Sequence, residues 1–347
     1  MARDPQAALV ALNRFGFGAR GGASGDFVNA ASDPRGFVLA ELERPAAALI
    51  ESPALESTPA LASELFAFQA EQKAKREADA KTLASGMAAA EKPAMADRTD
   101  PAPAAPRPAK PPPNVIQRTF RAEALARIQR ACIAECGIVE RLVTFWSNHF
   151  CISASKGQPA RIWAGAFERE AIRPHVLGRF ADMLKAVEQH PAMLFFLDNQ
   201  QSIGPGSRAG RRSKRGLNEN LAREIMELHT LGVGGGYTQA DVTALAKILT
   251  GWTYAGRKGR LGAPGSFIFN ANAHEPGAIA LLGKRYDEPG LAQGEAALVD
   301  IARHAATAKF VATKLVRHFV ADDPPPTLVA RIADVFGKTD GDLRAVS

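Results

Sequence analysis

Four short stretches hold most of the residues able to do chemistry: 145–150 (FWSNHF), 193–199 (MLFFLDN), 217–232 (LNENLAREIMELHTLG) and 274–284 (HEPGAIALLGK). Their candidate catalytic residues are His149, Asp198, Glu224, Arg223 and Lys284. His149, Glu224 and His274 form a candidate set of metal ligands, since mixed imidazole and carboxylate donors suit zinc, manganese or iron. Such a metal activates water, and Arg223 or Lys284 would stabilise the developing anion. A plainer reading stands beside this one. A buried, satisfied histidine, a helix-ending Asp-Asn turn and a polar network of Asn148, Asn199, Asn218, Glu219 and Asn220 need no ligand at all.

The third stretch is the most informative. Asn218 suits a helix N-cap, acids follow in the first turns and Gly232 suits a left-handed C-terminal cap, so a helix is expected over 218–231. At about 100° per residue, Leu217, Leu221, Ile225 and Leu228 form one stripe that must face the core. Glu219, Arg223 and Glu227 then read as a surface ion-pair ladder at i, i+4, i+8. Asn220 and Glu224 flank the apolar stripe and are expected to be partly buried, where a carboxylate needs a partner or a raised pKa. Glu227 and His229 lie about 160° apart by the same geometry, so they do not share a metal, and His229 is left as a partner of the helix C-terminus.

Familiar catalytic signatures are missing. The triple glycine 234–236 lacks the Lys-Ser/Thr of a phosphate loop, and the following Thr238 and Asp241 read as a capping box. There is no nucleophile elbow, His-Glu-x-x-His helix or dinucleotide fingerprint. Cys132, Cys136 and Cys151 are too few for a disulfide framework. The first two share a face if their segment is one helix, where His149 or Cys151 would complete a soft-metal site; buried thiols are the plainer reading.

The elements that must position these residues are mostly helical. Residues 1–70 read as an N-terminal cap of short helices broken at Pro34, Pro45, Pro53 and Pro59. Residues 71–114 form an Ala/Pro/Lys-rich insertion: a Lys/Glu/Ala part that extends the preceding helix, then a proline-rich part expected to be a disordered tether. The main domain, 115–347, opens with one long helix on which Leu125, Ile128, Cys132, Cys136, Val139 and Leu142 repeat at core spacing. Further helices are expected at 159–172, 174–188, 191–198, 239–251, 293–319 with a break, and 327–337. Residues 266–269 and 278–282 read as strands of one small hairpin. The fold class is therefore mostly α, an irregular multi-helix assembly with one hairpin.

Composition agrees with a folded protein, at 46% hydrophobic and 23% charged residues. The net charge of +7 is local: Arg208, Arg211, Arg212, Lys214 and Arg215 account for five, residues 71–113 for two, and the remainder is neutral. That pattern lacks the extended basic face of a nucleic-acid binder and leaves the 208–215 run as a solvated loop. No run of about 18 apolar residues spans a membrane, and residues 1–5 lack the apolar core of an export signal. The default compartment is the cytoplasm, with export left open.

Together with "ALNRFGFGAR" near the start and "NENLAREIMELHTLGVGGGYTQADV" running into "LTGW", the four stretches resemble the bacterial family named domain of unknown function 1800. The likeness runs from about residue 115 to the end. It implies a helical fold without an established activity, and genes of a phosphatase- or sulfatase-like protein as frequent neighbours. It matches the family's polar motifs at Asn148, His149, Asp198, Asn199, Asn218, Glu219, Asn220, Arg223, Glu224, His274 and Lys284. Family members often carry His at Ser147 and Phe at His229, a departure that weakens a role for His229. The end of the chain, opening another helix at 340–343, is expected to be a truncation. Two functions follow as expectations: a metal-assisted hydrolase with a His/Asp/Glu cleft and a divalent metal, or a non-catalytic scaffold partnering the phosphatase/sulfatase-like protein.

Overall fold

The computed structural model describes residues 4–18, 26–89, 112–212 and 216–347. Its helices are α1 Pro5–Phe15, α2 Asp26–Ser32, α3 Pro34–Leu42, α4 Thr58–Ala89, α5 Val115–Ile133, α6 Ile138–His149 and α7 Gln158–Phe167. They continue with α8 Phe180–Gln189, α9 Pro191–Phe196, α10 Asn220–Glu224, α11 Gln239–Ile248, α12 Leu291–Arg303, α13 Ala305–Phe319 and α14 Pro326–Lys338. The chain is mostly α. One continuous core draws on α1, α3 and α4 as well as the main domain, with Trp146, Trp163, Phe150, Phe180 and Trp252 fully buried near its centre.

Helix α4 carries the Lys/Glu/Ala part of the insertion to Ala89. The proline-rich tether expected after it falls on residues 90–111, outside the described residues, as do 213–215 of the basic run.

Three local expectations are corrected. The long helix from 116 to 142 is two helices, interrupted at 134–137 because Gly137 takes a left-handed φ of 90° and packs against Phe17 and Gly16. Cys132 is consequently exposed on α5 and Cys136 buried in the connection, so they do not share a helical face. Leu125 and Ile128 face solvent, and among the described positions of α5 only Ile116 and Glu123 are buried.

The second correction concerns the strands. Residues 267–269 do not pair with 279–281. β1 (Trp252–Tyr254) pairs antiparallel with β2 (Phe267–Phe269), and β3 (Ile279–Leu281) with β4 (Lys284–Tyr286). The β3–β4 turn puts Leu282 and Gly283 at φ 51° and 77°, the doubly left-handed geometry that matches the twist of a two-residue hairpin. The Leu282 amide donates to Asp241 Oδ1 at 2.9 Å, which holds a leucine in a conformation it otherwise avoids.

The third is the helix over 218–231. Its α-helical part is α10 alone, and residues 225–229 form a π turn. The wider turn rotates the following side chains out of α-helical phase. Leu221 and Ile225 are buried as expected, but Leu228 is 48% exposed and His229 turns inward. Asn218 accepts from the Asn220 amide at 2.9 Å rather than from a residue deeper in the helix, and Gly232 takes the expected left-handed φ of 79°. Thr238 and Asp241 do form the expected capping box on α11.

Candidate functional site

Three of the motif stretches meet at one junction of loops, and the contacts there are chiefly to backbone. Asp198 ends α9 in the left-handed region, φ 59° and ψ 21°, and pairs with Lys156 at 2.6 Å. Asn199 is 1% exposed, and its Nδ2 donates to the carbonyls of Leu249 and Trp252 at 3.2 and 3.0 Å, tying the turn to α11 and β1. Asn218 Nδ2 donates to Asp198 O at 3.4 Å. His274 Nδ1 donates to Thr250 O at 2.9 Å, while Thr250 Oγ1 accepts from the Glu275 amide at 2.8 Å. Glu275 Oε2 accepts from Gly206 N at 2.7 Å, and Gly204 sits so close that a Cβ would lie 2.6 Å from Glu275. Burial, then the charge of Asp198, pushes the Tyr254 phenol up to about 12. The junction thus gathers Asp198, Asn199, Asn218 and His274.

The other expected site residues lie elsewhere. His149 is buried among Phe145, Trp146, Phe150 and Phe310. Its Nε2 lies 2.9 Å from the His229 carbonyl and must donate, so Nδ1 carries the lone pair, buried and without a partner among the described residues. Burial, reinforced by the charges of Lys314 and His229, lowers its pKa well below the ordinary value. Glu219, Arg223 and Glu227 form the expected ladder at 3.2 and 3.3 Å, extended to Gln239 and Thr243 on α11. The hydroxyl of Thr243, then the amide of Gln239, holds the Glu219 carboxyl below its usual value. Glu224 is half-buried and finds no partner among the described residues. Asn220, expected to be partly buried, is exposed, as is Asn148. Lys284 is also exposed and pairs with Asp300 at 2.5 Å.

The expected metal set of His149, Glu224 and His274 is not assembled. Among the described residues no group of three or more His, Cys, Asp or Glu is placed to hold a metal ion. The three lie apart in the fold: His149 inside an aromatic cage, His274 on the Thr250 carbonyl at the loop junction and Glu224 at the end of α10.

Sequence reasoning passed over the densest polar clusters. Arg173 is fully buried and grips Glu140 through both guanidinium arms, at 2.7 and 3.0 Å, together with Glu168 at 2.8 Å and Ala48 O at 2.7 Å. Glu41 caps α6 by accepting from the amides of Gly137 and Ile138 at 2.7 and 3.2 Å. Burial raises its pKa, the two amides offsetting part of that. Arg169 chelates buried Glu123. His229 Nδ1 meets Glu188, 0% exposed, at 2.8 Å. The available signal was a charge on an apolar stripe: Glu188 continues the buried Phe180–Leu184 row of α8, and Glu140 lies between Val139 and Leu142.

Thr58, His190 and Glu170 lie close enough to suggest a hydrolytic triad, with His190 Nε2 at 3.1 Å from Thr58 Oγ1 and 3.3 Å from Glu170 Oε2. The wiring is wrong for that chemistry. His190 Nδ1 accepts from the Ala192 amide at 3.1 Å, so both partners crowd the protonated nitrogen and no lone pair faces Thr58. Glu170 Oε1 also accepts from the Thr58 amide at 2.9 Å, which makes the group a clamp on the start of α4.

A mostly helical protein with two small antiparallel sheets, its motif side chains pinning loops to helices, is the class these contacts define. The chain belongs to the family described as protein of unknown function DUF1800, whose model matches residues 10–347. No curated protein and no solved structure matches it. No helix among the described residues is long and apolar enough to cross a membrane.

Proposed function

We propose that this protein is a non-catalytic scaffold that partners a phosphatase- or sulfatase-like protein. The observation that carries this reading is where the motif side chains spend their hydrogen bonds. His149, Asn199, Asn218 and His274 all reach main-chain carbonyls, the use expected of residues that fix loop and helix packing. The apolar residues that α5 leaves in solvent, Leu125, Ile128 and Ile133, add a surface of the kind protein contacts use.

The test is co-expression with the phosphatase/sulfatase-like neighbour followed by size-exclusion chromatography, together with elemental analysis of protein prepared without chelator. Co-elution and no stoichiometric metal are expected. Near-stoichiometric metal that is lost in Glu224→Ala would overturn the scaffold reading in favour of a metal-assisted hydrolase. The hydrolase reading draws on the Glu188–His229 pair, because a carboxylate that fixes an imidazole tautomer is also how metal-binding and basic histidines are oriented.

A further inference from the structure

A cleft of about 660 Å³ opens between α1, α6 and the end of α13, within the size range of small-molecule sites. Arg14, Arg141 and Arg317 line it, with Asp322 as the single carboxylate. Seven arginines outside the cleft, Arg44, Arg127, Arg169, Arg173, Arg179, Arg223 and Arg303, pair with Glu or Asp. The three in the cleft have no carboxylate partner among the described residues. Arg141 uses one arm on Gly16 O at 3.1 Å and lies over the Phe319 ring at 5.5 Å. Arg317 uses Nε on the main-chain oxygen of Asp322 at 3.3 Å. Each guanidinium has five N–H donors, so most remain available in both.

Apolar side chains share the cleft with the cations. Beside the cations, on α1 and at the C-cap of α13, Leu9, Val10 and Val320 leave apolar side chains 38–49% exposed. The cleft thus combines forked donors with apolar side chains.

We infer that this cleft binds a phosphate monoester carrying an apolar substituent, the guanidinium forks of Arg14, Arg141 and Arg317 holding the phosphate and the side chains of Leu9, Val10 and Val320 contacting the substituent. Guanidinium forks match phosphate oxygens two at a time, which a single ammonium cannot do. The phosphate belongs either to a soluble ester or to a lipid headgroup, and the experiment separates these sources.

Binding of 1-naphthyl phosphate is measured by calorimetry on the full chain at low salt, beside 1-naphthol. Co-sedimentation is measured with phosphatidylcholine vesicles with and without phosphatidic acid. The variants are Arg14→Glu/Arg317→Glu, both positions being solvent-exposed, and Arg208→Glu as a distant charge control, with circular dichroism confirming the fold. Naphthyl phosphate affinity at least about tenfold weaker in the double variant and unchanged in Arg208→Glu is expected for a soluble ester. Phosphatidic-acid-dependent sedimentation lost in the double variant supports the same site with a lipid source. Absence of both binding events, equal binding of 1-naphthol, or equal weakening by Arg208→Glu would overturn the inference.

Discussion

Replacing Arg173 by Met removes the cation from the most deeply buried ionic cluster. The guanidinium is fully buried, and its loss strands two carboxylates unequally. Glu168 keeps Arg127 at 3.1 Å and the Ser147 hydroxyl at 2.9 Å. Among the described residues Glu140, 3% exposed, keeps only Arg130 at 3.8 Å. Burial lowers the proton affinity of Arg173, yet the bonds to Glu140 and the charge of Glu168 outweigh it and leave the pKa raised, so the cation is the stable form of this cluster. Breaking a buried pair from one side costs about 3–5 kcal/mol, whereas replacing both partners by apolar groups costs far less. The Arg173→Met variant is therefore expected to lose about 3–5 kcal/mol, and Arg173→Met/Glu140→Leu to regain about half of that. The assay is urea denaturation at pH 7 followed by circular dichroism, arranged as a double-mutant cycle. A loss below about 1 kcal/mol for the single variant, or a double variant no more stable than the single, would refute the reasoning.

Three other outcomes are expected. The folded protein takes up the His149 proton at lower pH than the unfolded chain does, because its imidazole is held well below 6.5. Stability present above about pH 6.5 is then lost as pH falls below it, by up to about 1.4 kcal/mol per pH unit. In His149→Phe this acid slope becomes shallower, as denaturation midpoints between pH 7.5 and 5 would record; identical slopes refute it. Asn199→Ala leaves two buried carbonyls without their donor, at a cost of about 2–4 kcal/mol visible as a lowered Tm. In Gly294→Ala the new Cβ would lie 2.5 Å from the buried Trp252 ring. Overpacking of about 1–3 kcal/mol should exceed the ~1 kcal/mol gain in helix propensity, so a more stable variant in thermal melts would contradict the packing.

Periodicity and capping chemistry are local, and they made the helical class legible. Thr238–Asp241 announced α11, and Gly232 ended its segment in the expected conformation. The Glu219–Arg223–Glu227 ladder was equally legible, because i, i+4 spacing alone brings those side chains together. Residue types likewise singled out Asn199 and His274, though not the carbonyls they would reach.

What the tertiary structure alone decided depends on residues far apart in the chain. The helix break at Gly137 answers to Phe17, Gly16 and the Glu41 carboxylate, over a hundred residues away in the first two cases. Strand pairing was undecidable from three-residue segments, whose ends carry no register information once the partner is unknown. The π turn over 225–229 turns Leu228 into solvent and His229 inward to Glu188, a shift of phase that the residue pattern by itself does not announce. Composition named the charged residues, but burial selected which of them must be paired: Arg173 with Glu140 lies in the core, while Lys284 with Asp300 lies in water. The cost of an unpartnered charge depends on the dielectric around it, and that is a property of the packed molecule.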